Sequence, residues 1–375
     1  HGPQGHGGQV MKVTRIHAAE CKLPLPRPIR LGPVEIRTRD FVVLRLETDT
    51  GLTGDALAYP RGTTLIESVE RMAPLVLGTE VALRRATVDG FLQRFVNGRP
   101  TFIKAASLFD IALWDLAAKE VQQPVCTMIG GYRREVPVMV VAGYYLDQRS
   151  IEDVCDEVRQ RVDEGYGRIK IMISGTDPDF DERMVAAAKH VAGDRLCADA
   201  HWAFRNLPDA YKTCKRLEKY DLNFIEDPFG PYQGDLTGTL QAKLATPLAY
   251  GEDLPDPQTI GRAIAQVPIL RLDATTCGGI STAIGLVEQA GNAGNAVLPH
   301  VFLPVHAQLA GALRAIDAVE YIPVEVGACP MFDLLDSRPA IVGGLLTIDQ
   351  RPGAGFSLQW DKVEHTAAKR FALGA

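Results

Sequence analysis

Asp199, Glu226 and Glu252 each follow a run of apolar residues and stand 27 and 26 residues apart. These intervals are about the length of one strand plus one helix. Because the C-terminal ends of parallel strands in a (β/α) barrel meet at one mouth, acids at successive strand ends can share a cavity. Carboxylate oxygens are the ligands that hard divalent cations prefer. The spacing therefore predicts a site for Mg²⁺, and an all-oxygen site accepts Mn²⁺ as well.

The same rhythm continues on both sides of the three acids. Lys170 precedes the first acid by 29 residues, and Asp273, His300 and Glu320 follow the third at successive spacings of 21, 27 and 20 residues. An isolated Asp or Glu is more often a helix cap or a solvated surface group than a ligand. A capping acid has no reason to recur after apolar segments at a fixed unit length. The repeated pattern therefore favours seven polar groups that face one cavity.

Composition limits the class of protein. The chain has 375 residues, of which 46% are hydrophobic and 23% charged, and its net charge is -6. These are values of a globular enzyme with a large core and two domains. The acidic balance and the absence of Lys/Arg runs argue against nucleic acid as a partner, and no apolar stretch is long enough to span a membrane. The seven cysteines lack a C-x-x-C pair and indicate reduced thiols of a cytoplasmic protein.

The first part of the chain predicts a small mixed domain. Residues 1–10, rich in Gly and His, are interpreted as a disordered leader or tag outside the fold. Residues 11–130 predict an α+β domain, with strands at 12–20 and 40–48 on either side of a Pro-rich loop at 23–33. Helical patterns follow these strands.

The second part of the chain has a different pattern of hydrophobic residues. From 131 to 325, short apolar strands alternate with helical stretches, which is typical of parallel strands joined by helical crossovers. This α/β alternation predicts a barrel catalytic domain. Residues 326–375 fall into Gly- and Pro-punctuated segments that cannot add another barrel unit, and we expect them to fold back on the first domain.

Several short strings in a fixed order carry a resemblance to a known family. They are CADAH, FIEDP, AYGED, RLDATTCGGIS, VLPHVF and AVEYIP. With these strings, and from Met11 to its C-terminus, the chain resembles the mandelate racemase/muconate lactonizing enzyme family of the enolase superfamily, mandelate racemase-like subgroup. The resemblance implies a modified TIM barrel, (β/α)7β, with an N-terminal α+β capping domain that the C-terminal segment completes. It also implies a symmetric homo-oligomer.

The resemblance also implies roles for the polar groups. The three acids would hold Mg²⁺, Asp273 and His300 would form the base dyad, and Glu320 would hydrogen-bond a small carboxylate substrate. The Pro-rich loop and residues 57–62 of the cap would close over that substrate.

These residue types suit the removal of a proton next to a carboxylate. The proton is only feebly acidic, so the enzyme must stabilise an enediolate, and a divalent cation supplies charge where it develops. His300 is the natural base because imidazole titrates near neutral pH, while Asp273 fixes its tautomer and stabilises the imidazolium. A protonated Glu320 would donate a hydrogen bond to the same oxyanion.

One position departs from the family pattern. The second barrel strand usually ends in a Lys-x-Lys pair, but here Lys170 is kept and Met172 replaces the second lysine. The usual base on the opposite face is therefore missing, and Lys170 is left as a site residue that contacts the carboxylate or a leaving hydroxyl. His201 stands two residues after Asp199 and points into the same cavity if the strand continues that far. It is then either an additional acid or a polar rim residue.

The cap loops contain the candidate residues for recognition of the rest of the substrate. Tyr59, Arg61, Arg30 and Arg37 lie where a distal hydroxyl or carboxylate would be recognised. Arginines in loops are also commonly just solvated.

A single credible base favours dehydration of an acid sugar to a 2-keto-3-deoxy acid. His300 would return its proton to the leaving hydroxyl in a syn elimination, and Lys170 or His201 would be the acid in an anti elimination. Two alternatives remain open. One is a racemase or epimerase of a hydroxy or amino acid with Lys170 as the second base, and the other is a catalytically silent barrel that binds a carboxylate.

Overall fold

An antiparallel sheet and a layer of helices form the N-terminal part of the chain. The computed structural model describes residues 10–31, 34–254 and 256–374, so nearly all of the predicted leader lies outside the described residues. The strands are β1 (Val13–Leu31), β2 (Val34–Thr48) and β3 (Thr53–Ala58). The helices are α1 (Leu65–Met72), α2 (Arg84–Arg94), α3 (Arg99–Glu120) and α4 (Val125–Ile129).

Strand β1 continues through the Pro-rich stretch and pairs antiparallel with β2. The loop predicted at 23–33 is therefore wrong for most of its length, because the pairing only shifts between Pro24 and Ile29 and then resumes. Prolines fit there since an interrupted ladder needs no amide donor at that point. The hairpin reaches the barrel, where the Gln148 side chain donates a hydrogen bond to the Pro28 carbonyl oxygen (2.9 Å).

In the described residues between 135 and 321, eight strands alternate with seven helices. The strands are β4 (Glu135–Ala142), β5 (Arg168–Met172), β6 (Leu196–Asp199), β7 (Ile225–Glu226), β8 (Leu248–Tyr250), β9 (Ile269–Leu272), β10 (Ala296–Pro299) and β11 (Val319–Tyr321). The helices are α5 (Ile151–Asp163), α6 (Pro178–Ala192), α7 (Leu207–Leu217), α8 (Gly234–Gln241), α9 (Pro257–Ile264), α10 (Gly279–Asn292) and α11 (Leu303–Ala312).

The eight strands form a closed barrel. Strands β4 to β10 pair in parallel in chain order, and β11 returns to pair in parallel with β4. A parallel bridge between Val297 and Ile316 links β10 to the residues just before β11. The apolar strand positions are buried, as expected of parallel strands that helices cover. The predicted (β/α)7β barrel with an N-terminal cap is confirmed.

The C-terminal segment contacts both parts of the molecule. It contains β12 (Ile341–Val342), β13 (Leu345–Thr347), α12 (Trp360–Thr366) and β14 (Ala367–Gly374). Strand β13 pairs antiparallel with β4 of the barrel, and β14 pairs antiparallel with β1 of the cap sheet. The cap sheet therefore has the order β14–β1–β2–β3.

The cap helix α3 packs directly on the start of the barrel helix α10. The Gly278 amide donates to Ser107 Oγ (2.9 Å), and the amide and hydroxyl of Ser281 donate to the Asp110 carboxylate (2.9 and 2.6 Å). Gly279 has φ 86°, and a Cβ added there would lie 2.3 Å from Asp110. Only glycine allows this approach, which fixes the cap above the barrel mouth.

Two predictions from composition can be compared with the described residues. Among them, no helix combines the length and the apolarity needed to cross a membrane. All seven cysteines lie within the described ranges, and all are buried free thiols. Their burial agrees with packing rather than with exposed reactivity.

Asp115, a buried carboxylate on α3, joins the cap sheet to the C-terminal segment. It accepts hydrogen bonds from the amides of Asp55 (3.0 Å) and Ala354 (2.7 Å) and from Lys119 Nζ (2.6 Å). Asp115→Ala removes the acceptor of two buried amides and one partner of a cation. We expect the free energy of unfolding, measured by urea denaturation, to fall by about 3 kcal/mol.

Asp156→Ala is the matched control for this variant. Asp156 lies on α5 with 65% of its side chain exposed and pairs with Arg159. A surface pair of this kind contributes about 0–1 kcal/mol. If Asp115→Ala costs no more than the control, Asp115 does not have the joining role.

Candidate active site

The three predicted metal ligands lie at the same end of the barrel. Asp199 and Glu226 are the last residues of β6 and β7 and are partners in the parallel ladder, and Glu252 follows β8 by two residues. All three side chains are buried. Asp199 Oδ1 accepts a hydrogen bond from the His201 amide (2.9 Å). The structure thus brings together the acids that the spacing singled out.

Asp227, an acid that the sequence reasoning missed, lies in the same cluster. Ligand oxygens of Glu226, Asp227 and Glu252 lie within 4.8 Å of one another. Asp199 is not in that group, and its Oδ2 lies 3.1 Å from Lys170 Nζ. Strand alternation would point consecutive residues to opposite sides. Asp227 escapes this rule because its φ of 43° ends the extended backbone, and its only signal was its place in the FIEDP string.

The cluster fits a hard divalent cation. Glu226 Oε2 and Asp227 Oδ1 are buried and have no hydrogen-bond partner in the described part of the chain. Burial raises the pKa of both carboxyl groups well above the ordinary value, and the neighbouring acids Asp199 and Glu252 add to this rise. A cation bound to these oxygens would satisfy both atoms and offset the crowded negative charge. The all-oxygen donor set is one that Mg²⁺ accepts.

Lys170 lies among the carboxylates. Its Nζ is 3.1 Å from Asp199 Oδ2, 2.8 Å from Glu226 Oε1 and 2.6 Å from Glu320 Oε1. Burial opposes the charge on Lys170, but the three carboxylates outweigh burial and raise its pKa well above the ordinary value. A lysine held as a cation does not accept a proton at neutral pH. These contacts favour an electrostatic role for Lys170 over that of a base.

Arg271 is a second buried cation, and the sequence reasoning missed it. Its guanidinium is fully buried, with one nitrogen 2.8 Å from Glu320 Oε2 and 3.3 Å from Glu252 Oε2. Its Nε lies 3.1 Å from Glu226 Oε1, an ion-pair distance without hydrogen-bond alignment. A usable signal was present. An arginine inside an apolar strand, two residues before Asp273, faces the same side of the sheet as that acid.

Glu320 accepts three hydrogen bonds or ion pairs. Lys170 Nζ lies 2.6 Å from Oε1, and Oε2 accepts from Arg271 (2.8 Å) and from the Val301 amide (2.9 Å). Burial opposes ionisation of Glu320, but Arg271 and Lys170 outweigh it and hold its pKa far below the ordinary value. Its contacts therefore favour an ionised carboxylate. They do not favour the protonated hydrogen-bond donor expected from the sequence.

His300 and Asp273 form a buried pair on adjacent strand ends. His300 Nδ1 lies 3.0 Å from Asp273 Oδ2, and the other Asp273 oxygen accepts from the amide and hydroxyl of Thr275 (2.7 Å each). Burial opposes ionisation of Asp273, but the hydrogen bonds from the side chains of His300 and Thr275 lower its pKa below the ordinary value. An ionised Asp273 so held orients the imidazole through Nδ1.

Arg61 of the cap contacts the other imidazole nitrogen. One guanidinium nitrogen lies 3.0 Å from His300 Nε2 and 3.4 Å from Glu252 Oε1, and another pairs with Asp253. Because arginine has no acceptor atom, Nε2 is the acceptor and Nδ1 carries the proton. This is the neutral tautomer that a general base needs. Nε2 is also 3.3 Å from Glu252 Oε1, so the base borders the acid cluster.

The other predicted substrate-binding residues are placed at different depths. Tyr59 is buried beside the base, with ring centroids 6.3 Å apart, but its hydroxyl hydrogen-bonds Cys329 Sγ (2.9 Å). Arg30 is 61% exposed and pairs with Glu35 (3.1 Å) and Asp147 (3.5 Å). Arg37, also exposed, pairs only with Glu35 among the ion pairs of the described residues. Only Arg61 of the three arginines therefore reaches the base.

His201 lines a cavity of about 490 Å³ next to the acid cluster. Strand β6 ends at Asp199, so the alternation argument for His201 does not apply. Its backbone is left-handed (φ 43°), and its ring packs on that of Trp202 with centroids 4.3 Å apart. Burial lowers the pKa of His201, although the Asp199 carboxylate opposes this shift.

Comparison with known proteins identifies the class. The family profile described as "Mandelate racemase / muconate lactonizing enzyme, N-terminal domain" matches residues 14–130, and that described as "Enolase C-terminal domain-like" matches residues 153–362. Together they cover most of the chain. The chain belongs to the mandelate racemase/muconate lactonizing enzyme family of the enolase superfamily.

Characterised relatives are similar over most of their length. The chain is 29% identical to the D-xylonate dehydratase of Haloferax volcanii, over 86% of this chain and 84% of that one. It is 25% identical to the arabinonate dehydratase of Saccharolobus solfataricus, over 85% and 88%. The L-talarate dehydratase of Polaromonas sp. JS666, solved with Mg and L-glucarate, is 25% identical with a TM-score of 0.88, over 97% and 100%. The chain is an enzyme of this family, and these relatives are lyases.

Cation binding should release protons. Burial and the neighbouring acids raise the pKa values of Glu226 and Asp227 above the ordinary value, so protons compete with a cation for these carboxylates. The apparent affinity for Mg²⁺ should therefore increase as pH rises, without any substrate present. Titration calorimetry in two buffers of different ionisation enthalpy measures the protons released, and an affinity independent of pH would contradict the assignment.

Asp227→Asn tests the acid that was found in the structure. We expect the affinity for Mg²⁺ to fall by about 10- to 100-fold, as for other residues that support a metal site, and the proton release to decrease. Asp235→Asn, an exposed acid on α8, is the matched control and should bind Mg²⁺ like the parent enzyme.

Proposed function

We propose that this enzyme dehydrates an acid sugar to a 2-keto-3-deoxy acid. The observation that carries the proposal is the His300–Asp273 pair, whose Nδ1–Oδ2 distance is 3.0 Å and whose Nε2 lies 3.3 Å from the acid cluster at Glu252. A base next to a cluster suited to bind a carboxylate through a cation can reach a proton on the neighbouring carbon. The dehydratase relatives support the same reaction class.

The first step is removal of the proton from C2. His300 Nε2 takes the proton, the electrons of the C–H bond move into an enediolate, and the Asp273 carboxylate stabilises the imidazolium. Mg²⁺ bound at the acids, or Mn²⁺ in its place, would supply positive charge beside the substrate carboxylate as the enediolate forms. Arg61 must leave His300 Nε2 for the substrate to approach, since its guanidinium lies 3.0 Å from that nitrogen.

The second step is loss of the hydroxyl from C3. An electron pair of the enediolate forms the C2–C3 double bond as the C3–O bond breaks. The leaving hydroxyl takes a proton and departs as water. Protonated His300 would donate it in a syn elimination, and His201 would donate it in an anti elimination. The resulting enol tautomerises to the 2-keto acid. Lys170 is a weaker candidate for this acid because three carboxylates hold its ammonium group.

The alternatives are weakened by particular contacts. A racemase with Lys170 as its second base needs a neutral lysine, whereas Lys170 Nζ lies within 3.1 Å of three carboxylates. At Met172, where the family has its other lysine, the side chain carries no titratable group. A silent carboxylate-binding barrel would not need the oriented His300–Asp273 pair.

His300→Asn tests the proposed base. We expect kcat to fall by about 10²- to 10⁴-fold, because asparagine cannot take the proton. The assay incubates the enzyme with Mg²⁺ and a library of aldonic, uronic and aldaric acids, and a carbonyl reagent detects 2-keto acid. Exchange of the C2 proton with solvent deuterium should be lost in parallel.

His190→Asn, an exposed histidine on α6, is the matched control and should keep full activity. Calorimetry should show that His300→Asn still binds Mg²⁺, which separates loss of the base from loss of the site. Undiminished keto acid formation by His300→Asn would overturn the assignment. Deuterium exchange without loss of water would favour a racemase instead.

A further inference from the structure

A cavity of about 490 Å³ lies beside the acid cluster, and of the residues given a role in the proposed chemistry only His201 lines it. The loops that follow β4, β5 and β6 form its walls, and Arg30 of the cap forms part of its rim. Asp199, Glu226, Glu252 and His300 do not line it. Its volume falls within the roughly 300–1,000 Å³ of pockets that enclose drug-sized ligands.

The walls of this outer cavity are largely aromatic and aliphatic. Tyr144, Tyr145, Trp202 and Phe180 line it, together with Met172 at the position where a lysine is usual in the family. A linear acid sugar presents a hydroxyl at almost every carbon and offers little to such walls. The C–H faces of a sugar ring do pack on aromatic side chains, while the ring edge keeps its hydroxyls free for polar groups.

Polar groups at the rim complement the aromatic walls. Arg30 and Asp147 form an ion pair at 3.5 Å, and Arg205, Ser174 and Thr176 also line the cavity. Guanidinium and carboxylate groups donate to and accept from hydroxyls, respectively. Aromatic walls with a polar rim therefore suit a ring-shaped, hydroxylated group better than a purely apolar one.

Backbone strain is concentrated in the same walls. Tyr145, His201 and Trp202 all have positive φ (67°, 43° and 61°), which residues other than glycine rarely adopt. Such conformations persist where the surrounding structure holds them, and they cluster at functional sites. The Trp202 turn is held by Asp227, whose carbonyl accepts from the Trp202 amide (2.8 Å) and whose carboxylate accepts from the indole Nε1 (3.0 Å).

The strained turn also connects the outer cavity to the reacting centre. Asp227 belongs to the acid cluster and holds the Trp202 indole, while Asp199 Oδ1 accepts from the His201 amide (2.9 Å). A molecule with its carboxylate at the cluster can therefore extend past the packed rings of His201 and Trp202 into the outer cavity.

We propose that the natural substrate is a glycosylated acid sugar, an aldobionic-type acid whose sugar ring occupies the outer cavity. This inference rests on the proposed function, since it assigns the reacting end of the substrate to the acid cluster and His300. The glycosidic bond must be at O4 or beyond, because C2 gives up its proton and C3 its hydroxyl. The sugar ring itself takes no part in the reaction.

Matched acids test the proposal directly. Gluconate is compared with maltobionate, cellobionate and lactobionate, which carry a glucosyl or galactosyl ring on O4 of the same gluconate unit. Binding to the His300→Asn variant with Mg²⁺ is measured by calorimetry, and kcat/KM for keto acid formation is measured on the parent enzyme. At least one glycosylated acid should exceed gluconate by about 10-fold or more in both measurements.

Trp202→Ala locates the effect in the outer cavity. The advantage of the glycosylated acid over gluconate should shrink by about 10-fold or more in this variant. Tyr211→Ala, an aromatic residue on α7 that is 38% exposed and lies outside the cavity, should keep the advantage. If Trp202→Ala does not fold, Phe180→Ala on the wall of the same cavity replaces it.

The outcomes separate this proposal from the one on which it rests. Equal or better binding and turnover of gluconate than of all three glycosylated acids would overturn the substrate assignment and leave dehydration in place. Tighter binding of a glycosylated acid to His300→Asn, with neither keto acid nor deuterium exchange from the parent enzyme, would support the outer cavity and overturn the dehydratase. An advantage that survives both cavity variants would also overturn the assignment.

Discussion

Two buried cations, Lys170 and Arg271, make the rest of the site physically tenable. Between them they contact Asp199, Glu226, Glu252 and Glu320 at 2.6–3.3 Å. Carboxylates this close together in a low-dielectric interior repel one another and favour protonation unless positive charge lies among them. The two cations offset part of the negative charge of these carboxylates. Burial and the neighbouring acids still raise the pKa values of Glu226 and Asp227, and the cluster is therefore suited to a divalent cation.

Much of this arrangement was predictable because it follows from periodicity. Asp199, Glu226, Asp273 and His300 lie at or directly after the ends of parallel strands, and parallel strands in a barrel end at one mouth. The positions of such residues depend on the length of the β/α unit, which the sequence displays. The barrel itself was predictable for the same reason.

The residues that were missed depend on features that periodicity does not contain. Asp227 joins the cluster only because a left-handed residue interrupts its strand, and alternation would have placed it on the other side. Arg271 was missed because charged residues are rarely buried within an apolar strand. Its carboxylate partners come from other strand ends, which the local sequence does not reveal. The Pro-rich stretch was assigned to a loop because proline disfavours strands, but pairing with β2 overrides that local preference.

The role of the cap was the least predictable part. Arg61 reaches His300 from a loop whose backbone conformation (φ 47°) no sequence pattern announces, whereas Arg37, from the same set of candidates, pairs with a neighbour on the hairpin. Loop geometry sets which side chains meet the substrate, and it is determined by contacts with the barrel as much as by the loop itself. Chemistry in this fold can thus be inferred from strand ends, while specificity requires the assembled cap.

The pairing of β14 with β1 has a consequence for the order of events during synthesis. Strand β1 is made before the barrel, yet β14, the neighbour that covers one of its edges, is made only after the barrel. The same delay applies to Tyr59, because Cys329, the hydrogen-bond partner of its hydroxyl, is also synthesised after most of the barrel. A nascent chain therefore carries a cap sheet in which the outer edge of β1 is uncovered, a surface that invites pairing with other chains. The cap sheet is therefore completed after the barrel, and a protein cut short near residue 366 would lack the strand that covers this edge of β1.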